Sequence, residues 1–369
     1  MSAKIELPED LLIVDIFAKL PVKSLIRFMC LSKSYYQAIS DPQFFHLHLR
    51  HSNQINKQFL LQISERPLTL QSLSFCHHQL LREPVALEPQ VPLPSRLRWE
   101  MVGSCNGVLC LATSPQSIRY LAFLNPSIKK LKLVLFPNLE DSFYPPTRGY
   151  RLVDGTSFST EIGFGFDSCT RDFKIVIIFR EIYSERWRQV QVYSLRQDSW
   201  KVLSNVPSFL YDLYEPQVVV NGAFYWSVNS AISDCYSILK FDFTDETFKE
   251  IKMPDCFYED QAYFYQFNGL GEVKGKLSLL LHSAAGISLE MWMMEDSGWV
   301  RQFVVNVRQL HAPRCLAMND EVMLLLTRSN VGRILSCDLK TLKLTDHGEE
   351  QRPCAFAYTP SLALVGEEN

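Results

Sequence analysis

Cysteine and histidine are the residues here whose chemistry spacing alone could reveal, and three groupings stand out: Cys105 with Cys110, the run Cys76-His77-His78, and His46, His48 and His51. Structural zinc draws its four ligands from two nearby pairs. Cys105 and Cys110 have no second Cys/His pair close by and lie on strand-like sequence, adjacent histidines point to different sides, and the trio suits the solvated surface of a helix. Neither a metal site nor a cofactor is expected. Gly163-Phe164-Gly165-Phe166-Asp167-Ser168 approaches a dinucleotide fingerprint, but serine stands where the third glycine belongs and a strand follows instead of a helix. A phosphate loop ending in Gly-Lys-Ser/Thr and a Gly-x-Ser-x-Gly nucleophile elbow are both missing. The paired carboxylates Asp245-Glu246 and Glu295-Asp296 read as solvated hairpin tips rather than as an acid and a base. With no catalytic constellation, the chain reads as a non-enzyme that acts through its surfaces.

Binding chemistry is easier to place. Tyr, Trp and Arg are the usual anchors of recognition surfaces, and three irregular stretches concentrate them: 138–159 with Tyr144, Arg148 and Tyr150, 181–188 with Tyr183 and Trp187, and 255–267 with Phe257, Tyr258, Tyr263, Phe264, Tyr265 and Phe267. Tyr144, Arg148, Tyr150, Tyr183, Trp187, Tyr258 and Tyr263 are the candidate contacts to a target. The competing reading is that such aromatics pack inside the fold.

The elements that would hold these stretches follow from composition and period. With 37 Lys plus Arg against 40 Asp plus Glu, the net charge is −3, which gives no general pull toward nucleic acid or an anionic membrane. The apolar fraction of 47% against 21% charged predicts a folded chain. The apolar runs are strand-sized, well below the ~18–20 residues a membrane span needs, and Glu6, Glu9, Asp10 and Asp15 break any secretory signal. These features predict a protein of the cytoplasm or nucleus, whose ten cysteines are free and mostly buried thiols.

The first fifty residues are helical in pattern. Pro8 suits a first-turn position and Pro21 stops the segment; helices are then expected over Val22–Leu31, Ser34–Ile39 and Phe44–Arg50, the last capped by Asp41-Pro42. Leu11, Leu12, Ile13, Val14, Ile16, Phe17, Ala18 and Leu20 surround the first helix with apolar groups. Such a helix needs cover on more than one side, and a module this small cannot supply all of it. Either the following domain or another chain must do so. The runs Leu7-Pro8-Glu9-Asp10-Leu11-Leu12, Ile16 through Phe28, Cys30 through Tyr36 and Ile39-Ser40-Asp41-Pro42 closely resemble an F-box. The resemblance implies docking on a Skp-type adaptor of a cullin-based ubiquitin ligase, with Leu7, Pro8, Ile13, Ile16, Leu20, Pro21, Leu25 and Tyr35 as the candidate interface. Tyr35 stands where that family commonly has Trp, keeping an aromatic ring without the indole N–H.

From residue 57 the period becomes that of short strands. Small turns followed by apolar strands recur at Gly107, Asp172, Gly222, Gly275 and Asp320, at spacings of 65, 50, 53 and 45 residues, each with a second hairpin tip further on. Five propeller blades are thereby visible. Lys57–Ile63, Leu68–Phe75 and the terminal Ala355–Val365 would close a sixth by pairing the last strand with the first ones, the count being open by one. The order of Gly103-Ser104-Cys105-Asn106-Gly107, Leu124-Asn125-Pro126-Ser127, Gly163 through Asp167, Val192 through Leu195 with Trp200, Val220 through Trp226 and Ile238 through Pro254 resembles the F-box-associated, kelch-like domain of plant F-box proteins.

The expected fold is therefore mainly β with a small α module: F-box helices over 1–50, a short linker over 51–56 and a six-bladed β-propeller over 57–369. By resemblance, it is the substrate-recognition subunit of a Skp-cullin-F-box ubiquitin ligase, with no nucleic acid and no membrane among its partners. A propeller enzyme such as an oxidase or glycan hydrolase with a helical cap, and a ligase-independent scaffold, are the alternatives.

Overall fold

The computed structural model describes residues 16–363 apart from 56–57, 66–67, 77–78, 86–92, 95, 114–119, 138–157, 182–186, 205, 207–210, 231–234, 260–265, 283–287, 308–313, 328–331 and 351–353. A 3-10 turn, Phe17–Lys19, leads into helices α1 (Val22–Met29), α2 (Lys33–Ser40) and α3 (Pro42–Ile55). Ser32 caps α2 by accepting the Tyr35 N–H on its side chain, and Asp41 caps α3 by accepting that of Gln43. The α3 helix runs through residues 51–55, expected to be linker, because no proline or glycine follows Arg50 to stop it.

Six four-stranded antiparallel sheets follow among the described residues. The first combines β1 (Gln58–Glu65), β2 (Leu68–Cys76) and β3 (Gln79–Val85) with β24 (Cys354–Tyr358), which pairs with β1 through Leu60 opposite Phe356. This is the predicted closure between the two ends of the chain. The terminal strand stops at Tyr358, ahead of Pro360, rather than continuing to Val365, and β3 is a strand the sequence pattern did not reveal. The remaining sheets are β4–β7 (Trp99–Cys105, Val108–Thr113, Tyr120–Asn125, Lys130–Leu135), β8–β11 (Phe158–Asp167, Asp172–Glu181, Trp187–Ser194, Ser199–Val202), β12–β15 (Tyr211–Val220, Ala223–Ser230, Cys235–Asp242, Thr247–Lys252), β16–β19 (Gln266–Val273, Lys276–His282, Ser288–Glu295, Gly298–Asn306) and β20–β23 (Arg314–Met318, Val322–Leu326, Gly332–Asp338, Leu344–Glu350). The architecture is a six-bladed β-propeller preceded by a small helical module.

Local chemistry sets the hairpins. Asn106-Gly107, Asn221-Gly222 and Lys274-Gly275 each hold both residues at positive φ, as a two-residue turn between twisted strands requires. In three blades the later tip opens on a polar side chain that folds over it. Asn125, Asp242 and Asp338 each accept the backbone N–H two residues on.

Between blades, glycine on an inner strand admits a large side chain from the next blade. A Cβ on Gly165 would lie 2.1 Å from the Phe243 ring, and one on Gly271 would lie 2.2 Å from the Met318 Cε. The Gly163-Phe-Gly-Phe segment thus serves packing, with Phe224 and Phe243 against its two glycines. Ionic contacts also cross between blades. Lys174 on β9 donates to the Phe243 carbonyl at 2.8 Å and lies 3.1 Å from both Asp167 and Glu246. Asp167 is fully buried, which alone would raise its pKa, but hydrogen bonds from Thr170 and Lys174 outweigh burial and hold it at about 2.

Candidate functional site

The helical module is built around Phe17, Ala18, Val22, Leu25, Ile39 and Phe44, all buried. Phe17 packs 4.9 Å from Phe28 and 5.4 Å from Tyr35 between ring centroids, with Tyr35 meeting both rings edge-on. His48 on α3 stacks on Phe44, and its Nε2 donates to the Leu20 carbonyl at 2.9 Å, tying the last helix to the segment before α1. Burial lowers the His48 pKa against the opposing effect of that carbonyl. The imidazole is therefore a neutral structural group. His46 instead faces Phe45 and Phe166, so the histidine trio does not converge. Cys110 is buried in the propeller core, where desolvation pushes its thiol up. Among the described residues no group of three or more His, Cys, Asp or Glu side chains is placed to hold a metal.

The propeller closes part of this module. Leu362, just beyond β24, joins the module core, and Ile128, in the turn between β6 and β7, packs against it from the same side. Phe45 and Ile128 touch both the module core and the core shared by the second and third blades. Several apolar side chains of the module stay accessible: Ile16, Leu31 and Tyr36 are 44%, 70% and 47% exposed, Pro21 is exposed and Leu20 is half-buried.

Of the residues assigned from sequence to the adaptor interface, Ile16, Leu20 and Pro21 are wholly or partly accessible, and Tyr35 is half-buried in the aromatic trio. Leu25 is a correction: it is fully buried, because its place on α1 turns it into the module core, so it supports the surface without forming it. Leu7, Pro8 and Ile13 lie outside the described residues. Leu31 and Tyr36 were missed as surface candidates. Tyr36 lies on α2 off its inward stripe, a signal the sequence carried, whereas Leu31 sits in the turn between α1 and α2, where no helical period marks its facing.

The antiparallel order of each blade gives the propeller two unlike faces. The tight turns at 106–107, 126–129, 168–171, 195–198, 221–222 and 243–246 lie at one end of the strands, and the module contacts this end through Ile128 and Phe166. The stretches picked out for recognition join strand ends at the opposite face. Their limits are narrower than expected: Phe158–Ser159 belong to β8, Glu181 to β9, Trp187–Arg188 to β10 and Gln266–Phe267 to β16, because strand pairing extends into them. Tyr144, Arg148, Tyr150, Tyr183 and Tyr263 lie outside the described residues. Trp187 pairs with Arg180 in the β9–β10 ladder, and Tyr258 belongs to the short helix α4 (Cys256–Glu259). Its neighbour Phe257 packs on Tyr236 at 5.8 Å, between-blade packing rather than surface.

The described residues thus combine a six-bladed propeller with a helical module on its tight-turn face and longer connections at the other end. The chain belongs to the family of the F-box associated beta propeller domain, whose model matches residues 81–365, and an F-box domain model matches residues 5–47. It is a plant-type F-box protein. The F-box/kelch-repeat protein At3g23880 of Arabidopsis thaliana is 26% identical over 78% of this chain and 75% of its own length. The F-box protein CPR1 of the same plant is 24% identical over 97% of this chain and 87% of its own length. The module-plus-propeller organisation thus accounts for nearly the whole chain.

Proposed function

We propose that this protein is the substrate-recognition subunit of a Skp-cullin-F-box ubiquitin ligase. The observation that carries the reading is that Ile16, Pro21, Leu31 and Tyr36 stay exposed and Leu20 half-exposed on a module whose core is closed by Leu362 and Ile128 of the propeller. Exposed apolar clusters mark binding sites on soluble proteins, and an F-box supplies the partner class: a Skp-type adaptor and, through it, a cullin. The opposite face of the propeller would hold an unidentified target protein. The chain itself is a non-catalytic receptor. It accelerates ubiquitin transfer by raising the target's effective concentration near a charged conjugating enzyme, while the bond-forming chemistry takes place on another polypeptide. Such a ligase subunit works in the cytoplasm or nucleus.

Co-purification with a Skp-type adaptor tests the reading. The intact chain is expected to retain the adaptor, and Ile16→Asp and Leu20→Asp to lose it, with propeller stability unchanged. Absence of binding by the intact chain would leave the scaffold reading standing. Undiminished binding by both variants would move the interface elsewhere.

A further inference from the structure

The residues after β24 do more than end the propeller. Thr359–Ala363 crosses the tight-turn face of the neighbouring blade, and its second half is held both by that blade's turns and by the core of the helical module. Ser361 is fully buried; its Oγ donates to the Asn106 carbonyl at 2.6 Å and accepts the Ala363 N–H at 3.1 Å. Asn125 is also fully buried, and its Nδ2 donates to two strap carbonyls, Ser361 at 3.0 Å and Ala363 at 2.9 Å, while its Oδ1 accepts the Ser127 N–H. Ser127 in turn bonds the Tyr358 hydroxyl at 2.7 Å. Gly107 is the floor of this channel: a Cβ there would stand 2.3 Å from the Ser361 Oγ and 2.6 Å from the Thr359 carbonyl. The next two side chains then separate. Leu362 enters the core of the helical module, and Ala363 enters the core shared by the second and third blades.

We infer that Thr359–Ala363 is a strap fixing the helical module at one angle to the propeller, with Asn125 as its positioning residue. A helix–sheet junction sealed by Phe45, Ile128 and Leu362 alone would be small and greasy, free to slide. Hydrogen bonds are directional and fix register where apolar contact does not. The strap converts the junction into a seat, because the plug Leu362 cannot move without breaking the bonds that hold Ser361 and Ala363. A buried amide with both its donor and its acceptor used at stated atoms also explains the Leu124-Asn125-Pro126-Ser127 motif, which has no part in the exposed surface. The inference concerns this chain's own geometry and stands apart from which partner the module binds.

The test measures the distance distribution between spin labels on the exposed Cys30, in the module, and the exposed Cys169, in a propeller turn, with other accessible cysteines changed to serine. Asn125→Asp keeps the acceptor for Ser127 but turns the donor into an oxygen facing two carbonyls. Leu362→Ala removes the plug and leaves every strap hydrogen bond available. The parent chain should give a single narrow population, and both variants a broadened one, with hydrogen-exchange protection of the β8–β15 strands retained. A purely structural role for Asn125 would lower that protection without broadening the distribution. Should Asn125→Asp fail to fold, Leu362→Ala decides alone. A broad distribution in the parent, a narrow one in Leu362→Ala, or loss of module helicity in Leu362→Ala would each overturn the proposal.

Discussion

Replacing Lys174 by methionine removes the cation of a buried ionic cluster while keeping most of the side chain's volume. Its Nζ lies 3.1 Å from Asp167 and 3.1 Å from Glu246, and the three side chains are 9%, 0% and 15% exposed. At that separation each pair is worth about 5 kcal/mol of gross attraction at an effective dielectric of about 20. Most of this offsets desolvation in the intact protein, but deleting one partner leaves the desolvation behind, and such deletions cost ~3–5 kcal/mol. Glu246 keeps Lys201 at 2.8 Å, so Asp167 bears the loss. The expected destabilisation is ~3 kcal/mol at pH 7, read from urea unfolding.

The pH dependence separates charge from packing. In the native protein the Asp167 pKa is depressed to about 2, so its contribution is present above the ordinary carboxylate pKa and lost as the pH falls toward 2. That depression corresponds to about 2 kcal/mol. Without Lys174 the same carboxylate is buried with no cation, its pKa moves up, and protonation relieves the variant as the pH drops. The gap between native and variant should therefore narrow by at least about 1 kcal/mol between pH 7 and pH 4. A gap that is constant with pH would show that lost packing of the lysine stem is responsible, and a gap below about 1 kcal/mol at pH 7 would refute the account of the cluster.

Two further predictions concern packing and thiols. Gly165→Ala should destabilise the chain by ~1–3 kcal/mol in urea unfolding, because the new methyl meets a Phe243 ring that is fully buried and cannot swing clear; a change below about 0.5 kcal/mol would mean that the two blades part easily. In alkylation at pH 8, Cys30 and Cys169 should react at once, whereas Cys110 and Cys337, buried and with thiols pushed up, the latter to about 12, should react only on unfolding. Peptide mapping of the alkylated chain distinguishes the two sets, and early labelling of Cys337 would contradict the described core.

Turn chemistry made most of the propeller legible before any coordinates. Asn-Gly at 106–107 and 221–222 requires positive φ at both residues, so the hairpins could be placed to the residue, and their repetition revealed the blades. The β3 strand escaped notice because Gln79–Val85 contains Arg82, Glu83 and Pro84, which weaken the strand pattern; its ladder with β2 comes from being an outermost strand, where polar residues and proline are tolerated. The α3 helix was read short for a similar reason, since its last turns are polar and carry no inward stripe.

At the candidate site, the sequence alone determined that the opening helices carry excess apolar surface, and its F-box pattern named the class of partner. It could not say which apolar residues face outward. Leu20 and Leu25 look alike in a string of letters, yet one is half-exposed and the other sealed, because the answer depends on where neighbouring helices and Leu362, far along the chain, come to rest. The same holds for the glycines of Gly163-Phe-Gly-Phe and for Asn125: each was visible as a motif, but its use is set by contacts between residues remote in sequence, such as Gly165 with Phe243 or Asn125 with Ser361. Local propensities fix turns and periods because they act between neighbours in the chain; burial and long-range hydrogen bonding are decided when the blades close into a ring.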